Sequence, residues 1–310
     1  MLHELLTVPA KLVDGVHVCV PDDGHVGSFS DEWDRWSTVQ VDSCGYRCGY
    51  AGFRDSADTF RQKTDLAASD LAGKVVLDAG CGPGRFSEVV ARLRASVVAV
   101  DLSHAVFHTA KLGTAWKGEH LFVQADLEKL PLPDACIDVA FSIGVLHHTP
   151  HPEQAVHEIA RVLRPGGIFA GWVYARQATY DHPLRAAWRA FSTNPVNHAL
   201  LSRLALQAPM LRDAFGTPQF RSMIHKLAVE IPLSLIDELA NKLSPGAFRE
   251  IVGISGSRND EECRLDTFDW QTPEYQWQYE WEKWEKLLRQ AGLDKIKRLQ
   301  FPQSWRALRA

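Results

Sequence analysis

Short apolar runs alternate with amphipathic segments through the middle of the chain. The runs are KVVLDAG, SVVAVDLS, HLFVQAD, CIDVAFSIGVL and IFAGWVYA, and each has the length of a buried strand. Between them, RFSEVVARLRA, SHAVFHTAKLG and PEQAVHEIARVL repeat their apolar positions with a helical period, and the last segment stops at RPGG. Strands and helices that alternate at this spacing predict a parallel sheet with helices on both faces.

The segments on either side of this alternation have other patterns. Residues 1–70 hold two strand-like runs around Leu12–Val20 and a helical stretch, RDSADTFRQKTDLAASDL. After Ala175 several helical segments follow, among them FRSMIHKLAVEI and SLIDELANKL, and this block is too long to be a loop. TPEYQWQYEWEKWEKLLRQAG then predicts a helix, and KIKRLQFP and SWRALRA predict a final pair of strands.

The chain therefore divides into four predicted segments. They are an N-terminal cover over residues 1–70, an α/β core over 71–177, a helical cap over 178–270, and a C-terminal helix with the last strands over 271–310. The last strands complete the core, which gives a sheet of seven mostly parallel strands. A length of 310 residues is compatible with one large domain that carries an insertion, or with two domains.

Composition and charge argue against several classes of protein. A formal net charge of −4 gives no electrostatic basis for nucleic-acid binding. No apolar run reaches the roughly 18 residues of a membrane helix, and the N-terminus lacks the pattern of a secretory signal. The six cysteines are scattered, which favours a reducing cytoplasm over a disulfide framework. The pair Cys44 and Cys48 has no second pair to complete a zinc site, so no metal is predicted.

The stretch VVLDAGCGPGRF places three glycines within five residues, directly after a buried strand. Glycines between a strand and a helix let backbone N–H groups approach a ligand closely. Two phosphate-binding patterns are disfavoured, because the loop lacks the Lys-Ser/Thr ending of a P-loop and has Arg85 where a dinucleotide loop has its third glycine. Asp101 and Asp126 end the next two strands. Carboxylates there can accept hydrogen bonds from ribose hydroxyls and from an adenine amine, which indicates an adenosine ligand with no phosphate requirement.

The ordered motifs LDAGCGPG, VVAVDLS, QADLEKLP, FSIGVLHHTP and RVLRPGG, over about residues 70–175, resemble those of class I S-adenosylmethionine (SAM) dependent methyltransferases. The resemblance implies a Rossmann-like α/β fold, SAM as cofactor and S-adenosylhomocysteine as product. On the flanks, FSDEWDRWSTVQVD and FDWQTPEYQW look like the cover and the approach to the last helix of a bacterial small-molecule subgroup.

The same resemblance implies which residues hold the cofactor. Those of the glycine loop, which would hold the methionine part, are Asp78, Gly80, Cys81 and Gly82. Those at the other strand ends are Asp101 for the ribose, Leu102 for the adenine face, Asp126 and the Leu127 backbone for the adenine edge, and Ser142 and Ile143 for the methionine and the reacting methyl group. Each of the two acids also has a structural alternative when it is considered alone. For Asp101 the alternative is a position next to a helix N-cap, and for Asp126 it is a position in a turn.

His147 and His148, just past the fourth strand, are the candidates for a general base, because histidine titrates near neutral pH. The alternative is that one of them packs or orients the loop. Tyr174 lies near the end of the fifth strand. We expect its side chain either to point into the substrate pocket or to lie at the edge of the sheet. His151 nearby does not complete a known set of metal ligands.

Aromatic side chains are candidates for the substrate pocket or for shielding the sulfonium. They are Phe29, Trp33 and Trp36 in the cover and Tyr275 and Trp277 before the last helix. Trp277, Trp281 and Trp284 fall at helical spacing, and the latter two read best as a core face. Arg61 and Lys63 read best as exposed helix charges, with the SAM carboxylate as the alternative partner.

The function predicted from the sequence is methyl transfer from SAM to a small molecule, a natural product or a sugar-type metabolite. A helical cap favours an enclosed acceptor, and its helices also allow a homo-oligomer. One alternative keeps the cofactor but catalyses cyclisation or aminocarboxypropyl transfer, with release of methylthioadenosine in the latter case. Another is a non-catalytic binding protein that retains the fold.

Overall fold

The computed structural model describes residues 2–22, 24–46, 48–178, 180–214, 251 and 253–310. Contacts within the chain divide it into two compact units. The core unit comprises Met1–Tyr46, Arg54–Arg176 and Tyr275–Ala310, and the second unit comprises Arg47–Phe53 and Gln177–Glu274. The predicted cap helices over 220–243 lie outside the described residues.

The core unit is built on one mixed sheet. Its strands, among the described residues, are β1 (Lys11–Val13), β2 (Val16–Val18), β3 (Val75–Ala79), β4 (Ser96–Asp101), β5 (Leu121–Gln124), β6 (Ile137–Ile143), β7 (Leu163–Trp172), β8 (Leu293–Arg298) and β9 (Ser304–Arg309). They lie in the order β1-β2-β5-β4-β3-β6-β7-β9-β8. All pairs from β2 to β7 are parallel, whereas β1, β9 and β8 run antiparallel to their neighbours. This confirms the predicted mostly parallel α/β fold.

The described part of the sheet has nine strands, so the predicted count of seven was wrong. The two additional strands come from the N-terminal hairpin, whose turn residues Asp14 and Gly15 have φ values of 47° and 81°. Two successive residues in the left-handed region are the geometry of a tight hairpin turn. His17 of β2 then pairs with Val123 of β5, so the hairpin extends the sheet on that side.

The helices of the core unit cover both faces of the sheet, as predicted. In the described residues they are α1 (Gly27–Trp36), α2 (Ser56–Thr64), α3 (Ala68–Leu71), α4 (Arg85–Arg92), α5 (Ala105–Gly113), α6 (Pro152–Val162) and, near the C-terminus, Trp281–Gln290. Alternate residues of β3 enter different cores: Leu77 packs with Trp284 and Trp305 on one face, and Val76 packs with Phe60 on the other.

The second unit is helical where it is described. Its helices there are α7 (Pro183–Ser192), α8 (His198–Leu206), α9 (Ala208–Ala214) and α10 (Asp260–Asp269), and the core-unit helix Trp281–Gln290 is therefore α11. None of the described helices is long and apolar enough to cross a membrane.

The predicted C-terminal helix begins later than its apolar pattern indicates. Helix α11 starts at Trp281, so Trp277 is not part of it. The preceding segment, Tyr275–Tyr279, is extended, because its backbone N–H groups donate to other parts of the core unit: Trp277 to the carbonyl of His147, and Tyr279 to that of Tyr174. Trp284, predicted to be core, is fully buried.

Candidate functional site

The glycine loop follows β3 and leads directly into α4. Gly80, Gly82 and Gly84 have φ values of 86°, 51° and 97°, a region that favours glycine. The N–H groups of Gly80 and Cys81 donate to the carbonyl of Val100 in β4, at 2.8 and 3.0 Å. The loop is therefore fixed by the neighbouring strand, and three glycines are required by its backbone conformation as well as by any ligand.

Two side chains lie against the bare backbone of this loop. A β-carbon on Gly80 would stand 2.4 Å from both γ-carbons of Val145, which precedes the two histidines by only two residues. A β-carbon on Gly82 would stand 3.8 Å from the ring of Trp33 in α1. Gly80 thus allows the histidine loop to pack on the glycine loop, and Trp33 covers the outer glycine.

Asp101 ends β4 and is partly buried beside the glycine loop. Its Oδ2 accepts a hydrogen bond from the Gly82 N–H at 2.8 Å, and its Oδ1 accepts from the N–H and hydroxyl of Ser103 at 2.9 and 2.6 Å. Burial raises the pKa of Asp101. A carboxylate has about four lone-pair positions, so three donors leave Asp101 about one position for a ligand.

Asp78 lies inside β3 and is 2% exposed. Its Oδ2 accepts a hydrogen bond from the Ser87 hydroxyl at 2.6 Å. Burial raises the pKa of Asp78 to about 7, and the charge of Asp101 acts in the same direction. The pKa of Cys81, which is buried in the loop, is also raised by burial. Cys81 is therefore a protonated thiol at neutral pH, and it packs rather than reacts.

The pKa of Asp78 predicts a pH dependence of stability. A carboxyl group whose pKa is higher in the folded state than in the unfolded state destabilises the fold as pH rises from the unfolded pKa, about 4, to the folded pKa, about 7. Between pH 5 and pH 8, wild type should lose about 2–3 kcal/mol of core-unit stability that Asp78→Asn retains. This difference in stability is measured by urea titration at each pH, with hydrogen exchange of the β3 amides as the readout. Parallel pH curves for the two proteins would contradict it.

The residues predicted for the adenine lie at the ends of β4 and β5. Oδ1 of Asp126 accepts from the Glu128 N–H at 2.9 Å, so Asp126 caps the short turn that includes Leu127, which is buried. The carbonyl of Leu102 accepts from the side-chain amide of Gln124 at 3.0 Å. Asp126 therefore has the structural role in a turn that the sequence analysis gave as its alternative. Its role in binding adenine stays a prediction.

Ser142 and Ile143 end β6, next to the glycine loop. The buried Ser142 hydroxyl donates to the carbonyl of Ala79 at 2.8 Å. Ile143 pairs with Trp172 of β7. Ser142 therefore ties the two strand ends together, while Ile143 and Trp172 share a face of the sheet.

The two histidines and Tyr174 form one aromatic cluster. The His147 ring stacks on Tyr174, with 3.7 Å between centroids, and lies 4.2 Å from the His148 ring. Both His147 ring nitrogens are buried and have no hydrogen-bond partner in the part of the chain that the structure describes. Burial, reinforced by His148 and Lys63, lowers the pKa of His147 well below its usual value. His147 is therefore neutral at physiological pH.

The extended segment Tyr275–Tyr279, called the strap below, fixes the histidine loop. His148 donates from Nδ1 to the carbonyl of Tyr275 at 2.8 Å, because a carbonyl can only accept. The neutral His148 ring consequently carries its lone pair on Nε2. Trp277 donates from Nε1 to the carbonyl of Thr149 at 3.1 Å, and its side chain is 41% exposed.

The remaining aromatic candidates lie in or beside α1. Trp33 is partly buried over the glycine loop, whereas Trp36 is buried. Phe29, two turns before Trp36, contacts His148 edge to face at 5.2 Å. The structure therefore brings Trp33 and the strap residue Tyr275 toward the site, and Trp36 contributes mainly to packing.

Sequence reasoning missed Trp172 as a member of the aromatic cluster, and it considered Lys63 without predicting its place beside that cluster. Trp172 lies 6.0 Å from the His147 ring and 5.3 Å from Tyr174. Lys63 of α2 places its Nζ 3.5 Å above the centre of the Trp172 ring, so it is not simply an exposed helix charge. The available signal was the spacing of Trp172 and Tyr174, two residues apart at the end of one strand.

The described residues contain no group of three or more His, Cys, Asp or Glu side chains that could hold a metal ion. The polar groups at the strand ends instead surround a bare backbone loop. An arrangement of this kind suits an organic ligand with hydroxyl and amine donors, next to the aromatic cluster.

Comparison with known proteins agrees with this site. A family model described as "Methyltransferase domain" matches residues 77–171. The chain is 38% identical to the malonyl-(acyl-carrier protein) O-methyltransferase of Enterobacter lignolyticus over 54% of this chain and 69% of that protein. It is 31% identical to the phthiotriol/phenolphthiotriol dimycocerosates methyltransferase of Mycobacterium tuberculosis over 61% of this chain and 64% of that protein. Other curated relatives are matched over about half of their length or less.

Among solved structures, the 1,6-didemethyltoxoflavin-N1-methyltransferase of Burkholderia thailandensis, which contains bound S-adenosylhomocysteine, is 27% identical. The alignment covers 49% of this chain and 60% of that chain, with a TM-score of 0.36, too low to add to the conclusion. The family is shown by the domain match and by the relative that the chain covers over 69% of its length. The chain belongs to the class I SAM-dependent methyltransferases, and SAM is its cofactor.

The residues present fit this cofactor. The glycine loop offers a backbone without side chains at the end of β3, and Asp101 beside it keeps about one acceptor position for a hydroxyl group. Both ring nitrogens of His147, buried in the adjacent cluster, have no hydrogen-bond partner among the described residues, which is compatible with a polar ligand beside them.

Proposed function

We propose that this methyltransferase acts on a small-molecule acceptor that binds against the aromatic cluster of His147, His148, Tyr174 and Trp172. The observation that carries the proposal is the contact between the two loops: Val145 packs on Gly80, and His147 follows Val145 by two residues. An acceptor against the histidines therefore lies next to a cofactor held by the glycine loop. The proposed acceptor is a natural product or a sugar-type metabolite.

Each part of the site has a role in this proposal. The glycine loop and Asp78 would hold the methionine part, and Asp101 would accept one ribose hydroxyl. Asp126 and Leu127 would read the adenine edge, with Leu102 on its face. Trp33 would cover the loop and exclude water.

When bound, SAM supplies a methyl group that its sulfonium activates. The chain must therefore align the acceptor and keep water out, and alignment alone can contribute about 7–11 kcal/mol. Where an acceptor must lose a proton, Nε2 of His148 is the better base, because its lone pair is set by the strap. The low pKa of His147 makes that ring a weak base, so His147 would orient the acceptor.

The test is to incubate the protein with deuteromethyl-SAM and an extract of small metabolites, and to identify the products by mass spectrometry. We expect labelled metabolites together with S-adenosylhomocysteine, and neither with Asp101→Ala at the same cofactor concentration. Methylthioadenosine without a labelled metabolite would favour aminocarboxypropyl transfer. S-Adenosylhomocysteine binding without any turnover would favour a non-catalytic protein.

A further inference from the structure

The aromatic cluster contains a cation. Lys63 lies in the last turn of α2, and its Nζ stands 3.5 Å from the centre of the Trp172 ring and 5.3 Å from that of Phe301. The Lys63 side chain is partly buried. An ammonium group over aromatic faces is held in place by the ring quadrupoles, so its position is defined.

This cation belongs to the same cluster as the histidines. Trp172, on which Lys63 rests, lies 6.0 Å from His147, and a β-carbon on Gly144 would stand 3.5 Å from the Trp172 ring. The charge of Lys63 disfavours a proton on the His147 ring, in the same direction as burial and the neighbouring His148. A cation beside this cluster favours a negative ligand.

We propose, on the basis of the function proposed above, that Lys63 is a specificity-determining residue that selects acceptors with a carboxylate, which is methylated on oxygen. A carboxylate is already ionised at neutral pH, whereas a phenol or an alcohol is not. A site with a fixed cation and a neutral, buried His147 is suited to an oxygen that needs no base.

The reaction balances without proton transfer. A lone pair of the carboxylate oxygen forms the new bond to the methyl carbon, and the S–CH3 bond breaks with its electron pair left on sulfur. The cationic sulfonium and the anionic carboxylate become a neutral thioether and a neutral methyl ester. Loss of both charges favours the products in a pocket of low dielectric. In this reaction His147 and His148 orient the carboxylate, and neither accepts a proton.

The test has a chemical readout and a binding readout. Labelled products from the metabolite extract are treated with mild alkali, which hydrolyses methyl esters and releases deuterated methanol but leaves ethers and N-methyl groups intact. Affinities of benzoate and hexanoate for the protein saturated with S-adenosylhomocysteine are compared with those of benzamide and hexanamide by titration.

The variants are Lys63→Met, Lys63→Arg and Arg61→Met. Arg61 is a matched control, because it is a cation on the same helix, 63% exposed and paired with Asp58. We expect alkali-labile products, tighter binding of the acids than of the amides, and a tenfold or greater loss of that preference in Lys63→Met. Lys63→Arg should keep most of the preference, and Arg61→Met all of it. Lys63→Met should also raise the pKa of His147 measured by NMR, because the charge of Lys63 contributes to lowering it.

Three results would overturn the proposal: alkali-stable products only, acids that bind no better than amides, or an undiminished preference in Lys63→Met. A fourth is a tenfold loss of S-adenosylhomocysteine affinity in Lys63→Met that is absent for its decarboxylated analogue, because the cation would then serve the cofactor. Failure of wild type to bind S-adenosylhomocysteine at all would instead remove the proposed function itself.

Discussion

Asp101→Ala is expected to weaken S-adenosylhomocysteine binding by about two orders of magnitude. A hydrogen bond to a charged group contributes about 1.5–3 kcal/mol, which corresponds to about 10- to 150-fold in affinity. The substitution removes the acceptor for a ribose hydroxyl and also releases the Gly82 N–H and Ser103, which the carboxylate now holds. The dissociation constant is measured by calorimetry on the full chain.

Two further variants make the Asp101 experiment specific. Asp101→Asn keeps one acceptor oxygen and should lose less affinity than the alanine variant. Asp134→Ala removes a carboxylate that is 74% exposed and paired with Arg161, so its affinity should equal that of wild type. Unchanged affinity in Asp101→Ala would rule out the ribose assignment.

Gly80→Ala should destabilise the core unit and abolish cofactor binding at concentrations that saturate wild type. A non-glycine residue in the left-handed region costs about 1–2 kcal/mol, and overpacking adds about 1–3 kcal/mol. Both apply here, because Gly80 has a φ of 86° and its β-carbon would stand 2.4 Å from Val145. Thermal unfolding and S-adenosylhomocysteine titration measure the two effects.

Gly15→Ala separates backbone strain from the steric clash. Gly15 has a φ of 81°, close to that of Gly80, and among the described residues no atom beyond its two chain neighbours lies within 4 Å of its β-carbon position. It should therefore show the smaller, conformational loss alone and bind the cofactor normally. The double variant Gly80→Ala with Val145→Ala should recover part of the lost stability. If Gly15→Ala and Gly80→Ala are equally destabilised, the packing of the two loops is not important.

The sheet could be predicted from sequence where the local pattern and the tertiary structure agree. The runs that became β3 and β4 are apolar throughout because parallel strands are buried on both faces. The hairpin was harder to count, since β1 and β2 have only three residues each and β1 is largely exposed. Its contribution to the sheet depends on the pairing of His17 with Val123, a contact between distant parts of the chain.

At the C-terminal helix, the local sequence pattern and the tertiary structure disagree. The spacing of Trp277, Trp281 and Trp284 is helical, yet Trp277 lies in the strap, because its backbone N–H donates to His147. That hydrogen bond has no local signal in the sequence. The stack of His147 on Tyr174 and the place of Lys63 over Trp172 are likewise contacts between distant residues. Motifs could therefore indicate the glycine loop and its acids, but not the arrangement of the acceptor side.

The strap also has a consequence for engineering substrate range. It follows Glu274, the last residue of the second unit, without a linker, and its backbone holds the loop that carries His147 and His148. A chimera that exchanges the second unit for that of another methyltransferase therefore has a natural junction just before Tyr275. Moving that junction a few residues toward α11 would replace the groups that hold the histidines, and we expect the chimera to lose the arrangement of His147 and His148 on which the proposed function depends.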